Sequence, residues 1–422
     1  MWASATLESI CTRVSSGGTP SRKNAEYFSS DATGHLWVKS KELLDCAIED
    51  TEEQITDSGL QFSSAKYLPA YTVLVAMYGA NVGQLAWLRN PATVNQAICG
   101  LVVDECKADW RFVFYSLLMN RGDLTVQAHG AAQQNLNQDL IRQFAISLPP
   151  LSLQRRIADI MSAYDELIEN NQRRIKILES MARAIYREWF VHFRFPGHEM
   201  HPRVASPLGE IPQEWNVTEL KMVCADGKGI QTGPFGSQLH EADYSDEGVP
   251  VVMPKDLIGF RIRPDSIARI PEVTADKLSR HRMQPGDIVY GRRGDIGRRA
   301  FLMAHQAGWF CGTGCLRVRA NPQKINGWYL FNYLGQENVV GLIKGRAQGV
   351  TMPNLNTGLL SSVPVALPPR QLQDEFARIT FPMAETIEAL FTTIQNLRRT
   401  RDFLLPRLLS GQIDVSTKDH DA

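Results

Sequence analysis

Apolar residues recur at heptad spacing along two stretches of this chain, and the second stretch follows the first at an offset of 219 residues. The positions that start the heptads are Ile157, Tyr164, Asn171, Leu178 and Ile185 in the first stretch, and Phe376, Met383, Leu390, Leu397 and Leu404 in the second. Further apolar residues follow three or four places after most of them. Five heptads in matching register predict two long helices that pack on each other. Two amphipathic helices on separate domains are the alternative.

Two residues interrupt these stripes. Asn171 lies near the centre of the first one, where burial would cost stability but fix the register. A half-exposed place at the edge of the seam is the alternative for this side chain. Pro382 lies within the second stripe, where the first has Ala163. Because proline removes a helical hydrogen bond, it predicts a kink or a new helix start.

Short apolar runs rich in β-branched residues precede each helical stretch, and glycine or proline bounds them. Examples are "TVLVAMY", "AICGLVV", "VPVVM" and "DIVYG". This pattern predicts short strands joined by tight turns.

The β-rich parts repeat as well as the helices. Asn-Leu-Asn occurs at 135–137 and 354–356, and each copy leads into Leu-Pro-Pro, at 148–150 and 367–369. With small gaps, "LPAYTVLVAMYGANVG" resembles "MQPGDIVYGRRGDIG", and "SGGTPS" resembles "QTGPFGS". The chain is therefore predicted to be a tandem duplication of units of roughly 200 residues, several-fold longer than the repeats of a solenoid. Asn137 and Asn356 are expected to cap the turn in which they lie.

Together these patterns predict an α+β fold of two β-rich globular domains separated by two long helices that form a coiled coil. Opposed helices would relate the halves by an internal pseudo-two-fold repeat. A stretch rich in Pro, Gly and His follows the first helical stretch and predicts a linker between the two units.

Composition is consistent with this organisation. A chain of 422 residues suits two or three domains, and 44% hydrophobic residues is ordinary for a globular protein. The N-terminus lacks a basic start followed by an apolar segment, so a cytoplasmic location is expected. The chain has seven cysteines, an odd number, and they are scattered along the sequence. This favours buried reduced thiols over a disulfide framework or a zinc site.

Charge differs between the two halves although the formal net charge is zero. Between Val251 and Ala320 there are 13 Lys and Arg residues against 6 Asp and Glu, whereas between Leu7 and Ser147 there are 11 against 15. A basic face on the second domain could meet phosphate groups.

Familiar catalytic motifs are missing from the sequence. It contains no phosphate-binding GxxxxGK[ST], no glycine-rich dinucleotide turn, no HExxH and no GxSxG. It also lacks the Asn-Pro-Pro-aromatic or Asp-Pro-Pro-aromatic tetrapeptide of amino-methyltransferase pockets. These absences predict a chain without a catalytic or metal site, whose two modules recognise a target with two parts.

Over nearly its whole length the chain resembles the specificity subunit of type I restriction-modification systems. The resemblance is strongest in "ISLPPLSLQRRIADIMSAYDELIENNQRRIKILESMARAIYREWFVHF" and "NLNTGLLSSVPVALPPRQLQDEFARI". It implies a first target-recognition domain (1–150), a central long helix (151–192), a linker (193–207), a second target-recognition domain (208–369), and a distal long helix with a C-terminal tail (370–422). The two helices of the family are antiparallel, which implies that they set the spacing of a bipartite, asymmetric site in double-stranded DNA.

The resemblance also implies partners. Two modification subunits would dock on this chain and carry the S-adenosylmethionine chemistry of adenine methylation. Restriction subunits would add translocation and cleavage with ATP and Mg, so this chain itself would hold no cofactor. A similar fold that serves another modification or phage-defence system is one alternative, and a coiled-coil scaffold that binds proteins is another.

Candidate DNA contacts lie in the loops of both domains. They are Thr19, Lys23, Lys39, Lys41, Tyr78, Asn81, Gln133 and Gln134 in the first domain, and Ser237, Lys255, Arg261, Arg263, Arg292, Arg293, Arg298 and Arg346 in the second. Most are expected to contact phosphates. The glutamine pair suits the N6/N7 edge of adenine, and Arg292 or Arg293 suits guanine. Solvated loops are the alternative.

Overall fold

The computed structural model describes residues 2–29, 33–126, 135–346 and 354–415. The chain forms two compact units, one of Met1–Arg174 with Ala389–Ala422 and one of Ile175–Glu388. We call them the first and the second unit. Each long helix begins in one unit and ends in the other, so both units contain parts of both helices.

The described part of the first unit contains eleven strands and five short α-helices before the first long helix begins. The strands are β1 Ala3–Thr6, β2 Cys11–Ser16, β3 His35–Val38, β4 Ala47–Ile48, β5 Gln54–Ile55, β6 Tyr67–Leu68, β7 Val73–Ala76, β8 Leu85–Leu88, β9 Ala92–Val94, β10 Ile98–Val103 and β11 Ala145–Leu148. The short helices are α1 Leu7–Ile10, α2 Asp57–Gln61, α3 Trp110–Met119, α4 Arg121–Val126 and α5 Gln138–Gln143. The long helix α6 is Leu151–Tyr186, and a π-helical turn, Arg187–Val191, continues it.

The second unit repeats this order with small differences. Its strands are β12 Arg203–Ser206, β13 Gly209–Pro212, β14 Asn216–Glu219, β15 Ile230–Thr232, β16 Val249–Val252, β17 Leu257–Ile258, β18 Arg261–Ile262, β19 Ala268–Ile270, β20 Ile288–Gly291, β21 Arg299–Phe301, β22 Phe310–Cys311, β23 Cys315–Val318 and β24 Pro364–Leu367. Its helices are α7 Leu220–Val223, α8 Glu272–Lys277, α9 Gly327–Tyr333, α10 Glu337–Arg346 and α11 Thr357–Ser361, followed by the long helix α12, Arg370–Leu409.

Sheet topology confirms the duplication and the α+β fold class. In the first unit β7 lies between β10 and β8, antiparallel to both, and in the second unit β20 lies between β23 and β21 in the same way. The parallel pair β3–β9 has its counterpart in β16–β22. In each copy a strand near the start pairs with the last strand, β1 with β11 and β14 with β24, so each domain closes on itself just before its long helix.

Each hydrophobic core includes the beginning of a long helix. In the first unit Ile157 packs with the short helices and with residues at the end of α12, including Leu405 and Leu408. In the second unit Phe376 packs with Tyr186 and Tyr329. The apolar stripe of each helix therefore also serves the core of a domain, which places the domain firmly on its helix.

A buried glutamine in the first turn of each long helix strengthens this attachment. Gln154, 1% exposed, accepts a hydrogen bond from the backbone N–H of Asp109 (3.0 Å) and donates one to the carbonyl of Pro149 (2.8 Å). Gln373, also 1% exposed, makes the same two bonds, 2.9 and 2.8 Å, to Asn326 and to the first proline of the second Leu-Pro-Pro turn. Asp109 and Asn326 cap the helices α3 and α9. The repeated Leu-Gln after Leu-Pro-Pro thus joins three elements in each copy.

Replacing either glutamine should destabilise its own domain. In Gln154→Ala or Gln373→Ala a half-buried N–H and a buried carbonyl lose their partners, and we expect a loss of ~2–4 kcal/mol in the free energy of unfolding. Urea unfolding followed by circular dichroism measures this loss. Gln172→Ala, on the exposed face of α6, is the matched control. A loss below ~0.5 kcal/mol in both buried variants, as expected for a surface substitution, would contradict the assignment.

The long helices run antiparallel within each unit. In the first unit Asp165 of α6 accepts a hydrogen bond from Arg401 of α12 at 2.6 Å, and Arg156, nine residues earlier, bonds the carbonyl of Val415. In the second unit the rings of Tyr186 and Phe376 are 5.6 Å apart. The partner's residue number therefore falls as the number on α6 rises, which matches the expected orientation.

None of the ten heptad-starting residues is exposed. Ile157, Asn171, Phe376 and Leu390 are buried, and Tyr164, Leu178, Ile185, Met383, Leu397 and Leu404 are half-buried. Asn171 is only 8% exposed, so it lies inside the seam rather than at its edge. Among the apolar residues of the stripe on either side of it, Ile168 and Ile175 are buried, whereas Leu167 is half exposed.

One of the two outcomes expected at Pro382, a new helix start, is wrong. Helix α12 continues through Pro382 without a new start, from Arg370 to Leu409. A proline costs one backbone hydrogen bond but does not end a helix whose flanking turns are held by packing. Here Thr380 is fully buried, and its hydroxyl both donates to the carbonyl of Phe376 and accepts a bond from Trp328, each at 2.8 Å.

The predicted linker at 193–207 belongs structurally to the second unit. It contains β12, and the buried ring of Phe195 packs 6.2 Å from that of Trp215. Two cysteines also depart from expectation, because Cys46 and Cys106 are exposed. Among the helices of the described segments, none is long and apolar enough to cross a membrane.

Candidate nucleic-acid interface

Three turns of the first unit meet at one end of its five-stranded sheet. They follow β2, follow β7 and precede β10. The N–H of Met77 bonds the carbonyl of Ala97 at 2.8 Å, and the N–H of Gly17 bonds that of Ile98 at 3.2 Å. The N–H of Leu136, in the first Asn-Leu-Asn run, bonds the carbonyl of Met77 at 2.7 Å. Residues far apart in sequence are therefore joined at one edge by their backbones.

Three polar side chains gather on this edge, and we call Thr19, Tyr78 and Gln96 the first loop cluster. The hydroxyl of Thr19 donates to the amide oxygen of Gln96. Burial raises the pKa of Tyr78, although a hydrogen bond with Gln96 opposes this effect. A neutral phenol and an amide can each donate and accept hydrogen bonds, which is the capacity needed to distinguish base edges.

The second unit builds the same edge from different side chains. The N–H of Arg292 bonds the carbonyl of Gly314, and its own carbonyl accepts a bond from Leu355, both at 2.9 Å. The Nε of Arg292 donates to Asn354 at 3.3 Å, and the hydroxyl of Thr313 donates to a carbonyl of the turn after β15. We call Arg292, Arg293, Thr313 and Asn354 the second loop cluster. Within it Arg293 is exposed, whereas Arg292 is half-buried by its bond to Asn354.

Glycines allow the turn after the first strand of each sheet to approach its neighbour. A Cβ on Gly17 would lie 1.9 Å from the carbonyl oxygen of Val94, and one on Gly233 would lie 2.0 Å from that of Gly312. A side chain cannot be accommodated so close to a backbone atom. The similar motifs "SGGTPS" and "QTGPFGS" are thus needed for the same close backbone contact.

The Asn-Leu-Asn runs have the structural role that was expected of their last residue. The side chains of Asn137 and Asn356 cap α5 and α11, accepting bonds from the N–H groups of Leu140 and Leu359 at 2.8 Å. The central leucines are buried at 2% and 0% exposure. The run therefore ends each loop cluster and returns the chain to the core.

Charged candidates of the first unit are paired with carboxylates. Lys39 contacts Glu52 at 2.6 Å and Glu53 at 3.1 Å, and Lys41 also pairs with Glu52. The hydrogen bond from Lys39 and that from Lys41 lower the pKa of Glu52 to about 2. Lys23 is exposed, and the carbonyl of Asn81 accepts a bond from the N–H of Gln84. Gln133 and Gln134 lie outside the described residues.

Candidates of the second unit fall into two groups. Arg298 pairs with Asp295 at 3.1 Å, and Arg346 donates to the carbonyl of Ser362 at 2.9 Å. Arg261 faces the long helices, with ion pairs to both of them. Ser237, Lys255, Arg263 and Arg293 are exposed, and so is Arg298 despite its ion pair.

The excess of positive charge between Val251 and Ala320 overstates the charge that reaches the surface. Arg299 is 5% exposed between the rings of Phe260 and Phe331, at 4.6 and 4.9 Å, and burial lowers its pKa to about 10. Arg317 is also buried and donates to backbone carbonyls, and Arg319 pairs with a buried aspartate. Counting charge along the sequence cannot separate these internal arginines from exposed ones.

Sequence reasoning missed Gln96 and Thr313. Both lie in the turn that enters the strand next to β7 or β20, and no local motif marks them. Only the pairing of β10 and β23 with those strands brings them to the edge. Among the described residues, no group of three or more His, Cys, Asp or Glu side chains could hold a metal ion.

Comparisons with known proteins are consistent across the chain. The family described as type I restriction modification DNA specificity domain matches residues 1–180 and 212–399. The specificity subunit of type I restriction enzyme MjaIX from Methanocaldococcus jannaschii is 24% identical over 407 residues, covering 95% of this chain and 91% of that protein. The MjaVIII specificity subunit from the same organism is 24% identical over 350 residues, 81% of this chain and 79% of that protein. The crystal structure of a type I restriction-modification S subunit from M. genitalium has the same fold, with a TM-score of 0.66 at 17% identity, covering 99% of this chain and 97% of that one.

Proposed function

Because this chain belongs to the type I restriction modification DNA specificity family, we propose that it reads the DNA sequence for a type I restriction-modification complex. Each β-rich domain reads one half of a bipartite site in double-stranded DNA. The two long helices set the gap between the halves. The complex acts in the cytoplasm.

The duplicated loop edge carries this proposal. The same backbone arrangement, or frame, appears in both units. Met77 and Arg292 make equivalent backbone hydrogen bonds, and the last residue of each Asn-Leu-Asn run caps the helix that follows. The side chains on that frame differ, since Tyr78 and Gln96 occupy the places of Arg293 and Thr313. Equal frames with unequal side chains suit two half-sites of different sequence, so the whole site is asymmetric.

Individual side chains suit different contacts. Arg293 is exposed at the end of a buried strand, and its guanidinium can form two parallel hydrogen bonds with guanine. Lys255 and Arg263 are exposed cations that lie outside the second loop cluster, so we assign them to phosphates. Arg261, Lys39 and Lys41 are held by carboxylates and are weaker candidates than the sequence suggested.

Chemistry belongs to partner subunits in this proposal. Two modification subunits dock on the chain and methylate adenine with S-adenosylmethionine, and restriction subunits use ATP and Mg for translocation and cleavage. The absence of methyltransferase motifs from the sequence supports this division.

The purified chain should transfer no methyl groups on its own. Incubation with labelled S-adenosylmethionine and DNA is expected to give no signal above that of buffer, because this chain has no cofactor-binding motif. Addition of the methyltransferase encoded beside it should start transfer to one bipartite sequence. Sequencing of the methylated DNA identifies that sequence.

Two outcomes would contradict the proposal. Methyl transfer by the chain alone would make it an enzyme. Transfer by the reconstituted complex at sites that do not depend on this chain would favour a scaffold that only binds proteins.

A further inference from the structure

We propose that two ion pairs between the domains and the long helices, Arg89–Glu169 and Arg261–Glu388, orient the recognition loops on DNA. Each pair fixes the angle at which its domain stands on the helices. The inference rests on the proposed function, since it concerns how accurately each half-site is read.

The geometry of the first pair is bidentate. The two terminal nitrogens of Arg89 donate to the two carboxylate oxygens of Glu169 at 3.2 and 2.8 Å. Arg89 directly follows β8, whereas Glu169 lies in the middle of α6. A bidentate contact restricts rotation as well as distance, so it specifies an angle better than a single bond does.

The second pair, like the first, where Arg89 also contacts Glu49 and Glu169 also contacts Arg173, is part of a small network. Arg261, in β18, lies 3.8 Å from Glu388 of α12 and 3.5 Å from Glu179 of α6. The side chains of Arg261 and Glu388 are each 19% exposed. One arginine of the domain thus contacts both helices.

The hairpin that carries Arg261 also contacts the core of its own domain. Its turn, at Gly259 and Phe260, has left-handed backbone angles, with φ of 60° and 65°. The ring of Phe260 covers the guanidinium of the buried Arg299 at 4.6 Å. The hairpin is therefore held between the core of the domain and the helices.

The two glutamates occupy the same position of the repeat. Glu169 lies fifteen residues after the buried Gln154, and Glu388 lies fifteen residues after Gln373. At ~1.5 Å per residue, the glutamine and the glutamate of each helix are about 22 Å apart. Each domain therefore has two anchors on its helix, and two separated anchors fix an orientation that one anchor leaves free.

The two arginines do not occupy the same position. In the pairing of β7 with β8, Val73 is opposite Trp87, and in that of β20 with β21, Ile288 is opposite Phe301. The residue two places after Phe301, which corresponds to Arg89, is the buried Met303. The second domain brings its arginine from a different hairpin to a glutamate at the same helix position. The same helix position thus pairs with an arginine in both units, although the arginine comes from a different hairpin in each. This indicates that the glutamate at this position requires a cation from the domain.

Electrostatics favour a positioning role over a stabilising one for the second pair. Burial lowers the pKa of Arg261 and raises that of Glu388, and in both cases it outweighs the attraction between them. A pair whose desolvation exceeds its attraction adds little to folding stability. Its geometry can still select one docking angle among several that apolar packing alone would permit.

The test uses the complex of this chain with its methyltransferase and two DNA libraries, each with one half-site randomised. The variants are Glu388→Gln and Arg261→Gln in the second domain, and Glu169→Gln and Arg89→Gln in the first. Glu385→Gln and Glu166→Gln, on exposed positions of the same helices, are the matched controls. Sequencing of methylated DNA gives the discrimination at every base of each half-site.

We expect Glu388→Gln and Arg261→Gln to lower discrimination in one half-site by roughly tenfold, within the range that one mismatched base pair costs. The other half-site should keep its wild-type profile. Glu169→Gln and Arg89→Gln should do the reverse, and both controls should match wild type. The double variant Arg261→Glu with Glu388→Arg, which exchanges the charges, should recover part of the lost discrimination.

Either of two results in the glutamine variants would overturn the inference. One is an unchanged profile in all four variants. The other is a uniform fall of methylation at every sequence, which indicates a structural loss rather than a change of reading. Should the glutamine variants fail to fold, Arg261→Lys keeps the charge at a shorter reach, and a profile equal to wild type would then also overturn it. If the wild-type complex shows no sequence preference, the proposed function fails instead.

Discussion

Exchange of residues 7–147 for the equivalent segment of a relative should change one half of the methylated sequence completely and leave the other half unchanged. Both junctions lie in or beside the β1–β11 pair, because Ser147 is opposite Ser4 there and the N–H of Leu7 bonds the carbonyl of Phe144 at 2.9 Å just inside it. The exchanged segment therefore enters and leaves through one antiparallel pair. Methylation sequencing of the reconstituted complex measures the outcome.

The design must preserve contacts that cross the junctions. The hydroxyl of Tyr115 donates to Asp165 at 2.6 Å, and the backbone N–H of Asp109 bonds Gln154, so the donor segment should keep a tyrosine and a capping residue at these places. The reciprocal exchange uses the matching junction of the second copy, where the N–H of Leu220 bonds the carbonyl of Val363 at 2.8 Å. It should change only the opposite half. A change of both halves in either exchange would disprove independent reading.

Insertion of four residues after Asn171 should lengthen the gap between the half-sites by one base pair or two. Four residues add ~6 Å and turn the following helix by roughly 40°. One base pair of B-DNA is a step of ~3.4 Å and about 35°. The rotation matches one added pair and the translation lies nearer two. Methylation at sites with the original gap should be lost, and both half-site sequences should stay the same.

The insertion point lies between two sets of contacts that hold the long helices, and it interrupts neither of them. The pair of Asp165 with Arg401 lies on one side of it, and the contacts of Glu179 and Glu388 with Arg261 lie on the other. Helix α12 must accommodate the slipped partner, so a companion variant carries a second four-residue insertion after Ile394. The same four residues placed after Gly197, where the surroundings are open, are the control and should leave the gap unchanged. An original gap in a folded, active insertion variant would show that the helices are not the ruler.

Several features were readable from the sequence because they depend on local or repeated patterns. A heptad stripe requires only the periodicity of one helix, so the two long helices could be predicted, apart from the effect of Pro382. The outcome at Pro382 depended on packing at Thr380, which lies in the same helix but bonds a tryptophan 52 residues away. Duplication was visible because both copies kept the short motifs that close backbone contacts and helix caps require.

The candidate interface was harder to predict because the sequence does not show which way a charged side chain points. Arg261, Arg298 and Arg293 look alike along the chain, yet the first faces the helices, the second pairs with an aspartate and the third is exposed. Gln96 and Thr313 reach the loop edge only through strand pairing. Assignment of these residues to bases or phosphates stays a prediction.

The sequence by itself determined the helical stripes, the duplication, the α+β class and the family, since these follow from periodicity and from motifs with local physical reasons. Tertiary structure alone decided which side chains share the loop edge, which arginines are internal, and where each domain is anchored. Glu169 and Glu388 illustrate the difference. Their equal positions in the repeat can be counted along the chain, but their partners, Arg89 and Arg261, come from different hairpins. Such pairs form between residues distant in sequence, and local patterns carry no information about contacts of that kind.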